Sequence, residues 1–480
     1  MKELSEVGSS IYLDEIRPVL LKLGKRLGEK YSYYSILATD NSSRTYTASA
    51  GGVSATANPL HTSRGIVIRV RDEKGFAEYS LSQISDDSIE DVLDTVREKI
   101  IGMRGGLEGF AGNMSRGMIE EEELSFVKNT AYKIHPDEYG DGKIIDIISG
   151  IREEGLSMSP KLIDCGISVT YQEIHKLFLS ARRDLTQNLL WTVGAVSVMA
   201  KRGQEVKTVY TSVSGLGGLE IIDGIKEKLG YLVETVEALL ESQPMIPGTY
   251  DCICTPDVTG MIVHEAFGHG VEMDMFVKDR ALAKDHIGKQ VASELVTMHD
   301  GGIAAYETGS YFFDDEGVEA RDTVIIERGI LKRGISDDLS ALSLGTPPTG
   351  NGRRQDFGAK AYTRMTNTFF EGGSDDVDDM IASIKYGFLL ENPTSGMEDP
   401  KNWGIQCMVS HAREIADGKL TGKIYSPVVL TGYVPDLLRS ITMMSRNVEF
   451  SGGGMCGKGY KEWVKVSDGG PYIKAKVRLG

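Results

Sequence analysis

The chain has 480 residues, of which 41% are hydrophobic and 25% charged, and its formal net charge is −16 at pH 7. This length favours two or three domains with ample core, and no apolar stretch reaches the roughly 18 residues of a membrane-spanning helix. The acidic balance argues against direct nucleic-acid binding, because phosphate binding is mostly electrostatic.

The first half of the chain mixes helical and strand patterns. Apolar residues near helical spacing predict a helix from Ser9 to Gly28. The acidic run that starts at Asp86 predicts a second helix, ending near Ile101. Short alternating runs predict strands at 31–38, 45–50, 65–71 and 77–81, and a further set between about 162 and 212.

The order strand, strand and helix recurs in the two parts of this half, which hints at an internal duplication. The segment from Gly105 to Tyr139 lies between these parts and is rich in glycine and acidic residues. We predict that it forms a surface excursion.

The best domain boundary follows a predicted helix at 219–241. Two prolines and a glycine fall within Ser242–Gly248, and proline cannot continue a helix. We therefore divide the chain into an N-terminal α+β domain, 1–243, and a C-terminal domain, 244–480.

The C-terminal domain reads mostly as strands. An Asp417-Gly418 pair predicts a hairpin turn, and the acidic run 374–379 suits a helix N-terminus better than a calcium site. The remaining predicted strands lie at 317–326, 330–336, 406–415 and 423–431. We expect an α+β protein whose C-terminal domain is a mainly antiparallel, barrel-like sheet carrying a metal-binding helix.

That helix contains His264-Glu-Ala-Phe-Gly-His269, a string of the form H-E-x-x-x-H. In the usual H-E-x-x-H string, residues four apart lie about 40° from each other around the axis, so both imidazoles reach one ion. A spacing of five separates the rings by about 140° on a regular helix. We predict that the helix departs from α geometry between Phe267 and His269, through a π-turn or a stop at Gly268.

A catalytic zinc ion takes three protein ligands and leaves a fourth position for water. His264 and His269 therefore need a third ligand, while Glu265 between them is a candidate general base. A cysteine is the residue we consider for that role, and the chain offers five: Cys165, Cys252, Cys254, Cys407 and Cys456.

Cys456 is the best candidate, because surrounding glycines let the backbone approach an ion closely. Cys252, Cys254 and Cys407 lie in alternating runs and read as buried small hydrophobes. The irregular cysteine spacing forms no disulfide framework, which fits a reducing compartment. Because no apolar signal core follows Met1, we expect a cytoplasmic protein.

The glycine cluster around Cys456 also resembles a phosphate-binding loop. Gly452-Gly-Gly-Met-Cys-Gly-Lys458 fits its first seven positions, but Gly459 stands where magnesium binding requires Ser or Thr. The residues that follow alternate like a strand, whereas a P-loop opens a helix. Nucleotide binding is therefore disfavoured.

Five segments together resemble the TldD/PmbA family of metallopeptidases, specifically its metal-bearing TldD branch. They cover roughly residues 245–480 in order, and they are His264–Asp274, Ile287–Ser293, Thr349–Arg354, Arg364–Thr368 and Met455–Lys458. The resemblance implies that His264, His269 and Cys456 bind one zinc ion per active subunit and that Glu265 is the catalytic base.

The resemblance also implies a peptidase for unstructured peptides or unfolded protein segments. It further implies a homodimer, or a heterodimer with a paralogue that lacks the motif. Arg353 and Arg354 are candidates for stabilising the oxyanion or holding a substrate carboxylate, and a structural ion pair is the alternative for both. The rival function is a noncatalytic peptide-binding or regulatory protein with structural zinc, which an intact Glu265 disfavours.

Overall fold

The computed structural model describes residues 4–72, 75–106, 120–458 and 461–480. Its N-terminal half contains ten strands and four α-helices within these ranges. The strands are β1 (Ser5–Glu6), β2 (Tyr33–Ser49), β3 (Gly52–Thr56), β4 (Ser63–Asp72), β5 (Gly75–Leu81), β6 (Leu124–Asn129), β7 (Ala131–Tyr132), β8 (Leu162–Ser180), β9 (Arg183–Arg202) and β10 (Glu205–Leu216). The helices are α1 (Ile11–Gly28), α2 (Ile89–Gly106), α3 (Pro136–Ser157) and α4 (Gly224–Leu239).

Eight of these strands form one sheet in the order β10-β9-β8-β2-β4-β5, with β3 paired to β2 and β6 to β9. Helices α1 and α2 cover one part of one face, and α3 and α4 cover the rest of that face. The opposite face meets the C-terminal domain, where Phe178 packs against Phe313. The predicted internal duplication stays a prediction.

Two predictions for this half were wrong. The strands predicted at 31–38 and 45–50 are one continuous strand, β2, because its pairing with β8 runs from Ser35 to Ala48 without a break. The predicted surface excursion contributes β6, which pairs in parallel with β9. Leu124 and Phe126 of β6 pack on a buried apolar cluster, and that packing holds the segment on the sheet. Residues 107–119 of the excursion lie outside the described residues.

The C-terminal half contains seventeen strands and five α-helices in its described ranges. The helices are α5 (Pro256–Ile262), α6 (Met273–Val277), α7 (Asp338–Leu344), α8 (Val377–Ala382) and α9 (Val434–Arg439). The strands are β11 (Gly248–Cys254), β12 (Met298–Asp300), β13 (Thr323–Glu327), β14 (Ile330–Leu331), β15 (Gly352–Arg353), β16 (Tyr362–Thr363), β17 (Asn367–Phe370), β18 (Tyr386–Asp399), β19 (Gly404–Ala416), β20 (Lys419–Tyr425), β21 (Val428–Tyr433), β22 (Met443–Met444), β23 (Glu449–Ser451), β24 (Met455–Lys458), β25 (Lys461–Lys465), β26 (Ser467–Gly470) and β27 (Ile473–Leu479).

Five strands close into a barrel in the order β11-β18-β19-β21-β27. Closure is complete because β11 pairs in parallel with β18 and antiparallel with β27. A second sheet has the order β14-β13-β12-β17-β26-β23. The barrel confirms the predicted α+β class and the mainly antiparallel, barrel-like C-terminal domain.

Individual strand bounds differ from the predictions. The predicted strand 317–326 is regular only from 323, where β13 (Thr323–Glu327) begins, and the predicted strand 330–336 is regular only at Ile330–Leu331. The predicted strand 423–431 divides into β20 and β21 at Pro427, since proline cannot donate a ladder hydrogen bond. The Asp417-Gly418 turn is confirmed, with φ values of 48° and 75° that suit a type I′ hairpin.

The predicted boundary after residue 243 falls in the connection between α4 and β11 and stays a prediction. Across the part of the chain that the structure describes, no helix combines the length and apolarity needed to cross a membrane.

Candidate metal centre

The helix that carries both motif histidines changes geometry inside the motif. Regular α5 ends at Ile262, and a π-helix follows from Val263 to Gly268. The backbone N–H of His269 donates to the carbonyl of His264, an i→i+5 bond. One π-turn therefore brings residues five apart onto the same side, as the spacing predicted.

Gly268 is required for packing rather than for its backbone conformation. Its φ and ψ of −61° and −50° are helical values that any residue adopts. A Cβ at this position would overlap the Sδ atom of Met365, whose side chain is buried. The glycine thus lets the π-turn lie directly against Met365.

Three side chains converge at this turn. The ligand atoms of His264, His269 and Cys456 all lie within 4.8 Å of one another. Cys456 Sγ is 3.5 Å from His269 Nε2, and the two imidazole rings are nearly perpendicular, with centroids 5.2 Å apart. Nδ1 of His264 is buried and has no hydrogen-bond partner within the described chain.

This arrangement fits zinc. Tetrahedral coordination with the usual zinc–nitrogen and zinc–sulfur distances separates a nitrogen from a sulfur by roughly 3.5 Å, which matches the distance between His269 and Cys456. Nδ1 of His264 is a buried nitrogen without a partner in the described chain, which a bound ion or water molecule would satisfy. Three protein ligands would leave a fourth position for a water molecule.

Cys456 reaches the histidines from a hairpin far away in the sequence. It lies on β24 and pairs with Val464 on β25. Buried Arg364 holds this hairpin by donating to the carbonyl of Cys456 at 2.7 Å and to the carbonyl of Glu462. The arginine thereby fixes the position of the cysteine backbone.

Glu265 stands beside the group. Its Oε2 lies 4.0 Å from His269 Nε2, and its side chain is 18% exposed. A Cβ on Gly396 of β18 would come within 2.9 Å of the Glu265 carboxyl carbon, so the strand backbone packs closely on this side chain. Glu265 is thus restrained next to the three candidate ligands.

A second layer of buried charges orients His269. Its Nδ1 faces Glu272 Oε2 at 3.6 Å, the carboxylate–histidine arrangement common at metal sites. Lys458 Nζ in turn lies 3.0 Å from Glu272 and 2.8 Å from Asp274. Although burial alone would raise it, Lys458 and His269 hold the pKa of Glu272 well below its usual range.

The electrostatics favour a thiolate at Cys456. Burial alone would raise the pKa of this thiol, but His269 and His264 lower it well below its usual value. Burial alone would lower the pKa of His264, but the negative charge on Cys456 outweighs burial, and the pKa of His264 is raised to about 9. A preformed thiolate is the form that binds metal, and metal binding would release protons from the imidazoles.

The two arginines from the sequence have different partners. Arg354 pairs with Glu78 of the N-terminal sheet at 2.6 and 3.1 Å, which fits the structural ion-pair alternative. Arg353 donates to the carbonyls of Met365 and Lys465, both at 2.6 Å. Arg354 is therefore occupied, whereas the described residues give Arg353 no carboxylate partner.

The other cysteines are core residues, as predicted. Cys252, Cys254 and Cys407 are fully buried in the apolar core of the C-terminal domain. Burial raises the pKa of Cys254 to about 12, so its thiol stays protonated near neutral pH. The strands at β24 and β25 also agree with the rejection of a phosphate-binding loop.

Sequence reasoning did not assign the supporting residues Glu272, Lys458 and Arg364. All three lie inside the segments that carry the family resemblance, but their roles depend on contacts between distant elements. Only Glu272 had a local signal, because a carboxylate three residues after a histidine shares its helix face.

Comparison with known proteins gives one consistent result. Residues 247–478 match the family model described as the PmbA/TldA metallopeptidase C-terminal domain. A metalloprotease of Methanothermobacter thermautotrophicus is 30% identical over 319 residues, which cover 66% of this chain and 69% of the relative. A zinc metalloprotease TldD homolog of Saccharolobus solfataricus is 25% identical over 419 residues, covering 86% and 88%.

Solved structures share the fold. TldE from Thermococcus kodakarensis aligns with a TM-score of 0.71 at 16% identity, over 96% of this chain and 99% of that one. A Thermotoga maritima protein, described as a candidate modulator of a DNA gyrase, aligns with a TM-score of 0.75 at 16% identity, over 98% and 100%. At this identity the likeness concerns the fold alone.

Proposed function

The chain belongs to the PmbA/TldD metallopeptidase family, and from that premise we propose that it is a zinc-dependent peptidase acting on unstructured peptides or unfolded protein segments. The observation that carries the proposal is the π-turn that brings His264 and His269 together with Cys456 and sets Glu265 beside them. A histidine–histidine–cysteine group with a neighbouring carboxylate is suited to metal-assisted hydrolysis.

In this proposal His264, His269 and Cys456 hold one zinc ion per active subunit. When bound, zinc lowers the pKa of a water molecule and polarises the scissile carbonyl. Glu265 accepts the water proton and later passes it to the leaving amine. The Glu272 carboxylate, 3.6 Å from His269 Nδ1, keeps the ring turned towards the group.

The rival function is a noncatalytic peptide-binding or regulatory protein with structural zinc. Structural zinc sites use four protein ligands and close the coordination sphere, whereas only three ligand residues meet within the described chain. Glu265 is also partly exposed, at 18%. Both observations favour the catalytic function.

The decisive experiment combines metal analysis of the purified protein with an assay on mixed unfolded peptides, with and without a chelator. We expect about one zinc per active subunit, and cleavage that the chelator abolishes and zinc restores. Zinc-loaded protein without cleavage would favour the structural function.

Glu265→Gln separates these functions further, because the amide is nearly isosteric but cannot accept a proton. We expect near-normal folding and zinc content with activity reduced about 100- to 10,000-fold. Full activity in this variant would contradict the proposed base and indicate a contaminating peptidase or another base.

Assembly as a homodimer, or as a heterodimer with a paralogue lacking the motif, is part of the same proposal, as is a cytoplasmic location. Light scattering on the purified chain tests the homodimer directly. A monomer at micromolar concentration, combined with activity that appears only on adding the paralogue, would favour the heterodimer.

A further inference from the structure

A partly open polar cavity of about 80 Å³ lies between the N-terminal sheet and the C-terminal domain. One water molecule needs roughly 10–15 Å³ by the same measure, so the cavity has room for a small polyatomic ion. The sheet contributes Gln172, Lys176 and Trp191 to its wall, and the C-terminal domain contributes Arg353 and Lys465.

The cavity adjoins the hairpin that carries Cys456 but does not contain the candidate metal ligands. Met455 and Lys465 are paired across β24 and β25, and both line the cavity. Val464, which pairs with Cys456, also lines the cavity, but the Cys456 side chain points to His269, and none of the three candidate metal ligands lines the cavity. The cavity is therefore separate from the metal centre.

Four cationic side chains line the cavity, and two of them are neutralised. Lys176 forms an ion pair with Asp315, and Arg354 is paired with Glu78. These two ion pairs connect the N-terminal sheet to the C-terminal domain, and neither Lys176 nor Arg354 needs a further counter-charge.

The other two cations have only neutral partners. Lys465, which is 8% exposed, donates to the carbonyl of Gly454 at 3.1 Å, and its Nζ lies 5.1 Å from the centre of the Trp191 ring. Arg353 donates to two carbonyls, one of them that of Lys465, and lies over the ring of Tyr311. No carboxylate within the described ranges lies at ion-pair distance from either cation.

The acids on the cavity wall do not fill this role. Asp315 is taken by Lys176. Asp314 accepts backbone N–H groups from Glu316, Val318 and Gly352 at 2.8 to 2.9 Å, so its own loop and β15 engage both of its oxygens. Burial lowers the pKa of Lys465 to about 7, and Asp468, which lies beyond ion-pair distance, offsets this only in part.

We propose that this cavity is an anion-binding site in which Arg353 and Lys465 hold a small oxyanion, a carboxylate or a phosphate group, between the two domains. Buried Lys465 and half-buried Arg353 have no counter-charge at ion-pair distance within the described ranges, which is costly, and a bound oxyanion would compensate both. The fork of Arg353 and the Lys465 ammonium suit such an anion. The site does not depend on the proposed peptidase activity.

Calorimetry on the full-length zinc-loaded protein tests the site at constant ionic strength. One arm uses inorganic phosphate, and the other compares acetylalanine with its amide, so that a free ion and a chain-terminal carboxylate are distinguished. We expect saturable binding of phosphate, of acetylalanine, or of both, and none of the amide. Phosphate alone identifies a free-ion site, and acetylalanine alone identifies a site for a peptide C-terminus.

Lys465→Met should weaken the binding about tenfold or more, since it removes a buried charge. Arg353→Gln is the second variant if Lys465→Met does not fold, and Lys401→Met, which changes an exposed lysine, is the matched control. The absence of saturable binding of both anions would overturn the proposal. Undiminished binding in the folded variants of Lys465 and Arg353 would overturn it as well.

Discussion

Replacing Gly268 with alanine should damage the metal centre although the position is helical. At an exposed helix interior, alanine is better than glycine by about 1 kcal/mol. Here the new Cβ would overlap Met365 Sδ and stand 3.4 Å from the carbonyl oxygen of Val263. Overpacking a filled core costs about 1–3 kcal/mol, so the net loss of unfolding free energy is roughly 0–2 kcal/mol. The zinc affinity should fall as well, because the displaced turn carries both histidines.

The measurements are urea unfolding and zinc affinity by competition with a chelator. Gly230→Ala is the matched control, since this exposed glycine in α4 has nothing within 4 Å of a new Cβ. It should gain about 1 kcal/mol and leave zinc affinity unchanged. Combining Gly268→Ala with Met365→Ala should restore part of the lost affinity. If Gly268→Ala behaves like the Gly230 variant, the packing argument is wrong.

Three further predictions concern ligands, support and pH. Cys456→Ser should sharply reduce zinc content while Cys407→Ser should not, and equal zinc by mass spectrometry would exclude Cys456 as a ligand. Arg364→Lys should weaken zinc binding about 10- to 100-fold, since one ammonium cannot replace both hydrogen bonds to the hairpin carbonyls. Unchanged zinc affinity in the chelator competition would show that Arg364 does not position the cysteine. A hydrogen bond from His135, and a smaller contribution from His175, lower the pKa of Glu173 from 4.5 to about 2. The ionised carboxylate therefore stabilises the folded state above pH 4.5 and loses this effect as pH falls towards 2, so Glu173→Gln should flatten the acid side of the urea-derived stability profile.

The sequence was sufficient where a feature depends on local spacing. The five-residue interval between His264 and His269 excludes a shared ion on a regular helix, so the spacing predicts a π-turn or a helix stop there, and the structure has the π-turn. The Asp417-Gly418 turn and the alternation around Cys252 and Cys254 are local in the same sense. Such patterns record the geometry of a few neighbouring residues, so one sequence is enough to interpret them.

Features that depend on pairing between distant segments were harder to predict from the sequence. Polar residues near the middle of β2 read as a break between two strands, yet pairing with β8 continues through them. Leu124–Asn129 reads as part of an excursion because its partner, β9, begins more than fifty residues later. Alternation indicates a strand, but it does not indicate which strand lies beside it.

The same limit applies to charged side chains. Arg353 and Arg354 are indistinguishable in the sequence, but only Arg354 meets Glu78 of the opposite domain. Arg354 pairs with a carboxylate 276 residues away in the sequence, whereas Arg353 donates to backbone carbonyls. Their separate roles follow from the domain interface, which no spacing rule describes.

The candidate metal centre is built from two separate elements, the π-turn with its two histidines and the hairpin that carries Cys456. His264 and His269 are held by the π-turn against the barrel, whereas Cys456 belongs to a two-stranded hairpin that, in the described ranges, pairs with none of the three large sheets. Arg364 holds that hairpin through carbonyls on both of its strands, and Lys458 connects it to Glu272 beside His269. A ligand that binds only the folded state stabilises it in proportion to its affinity. Zinc should therefore stabilise the hairpin more than the barrel, and hydrogen exchange after chelation should increase first in β24 and β25.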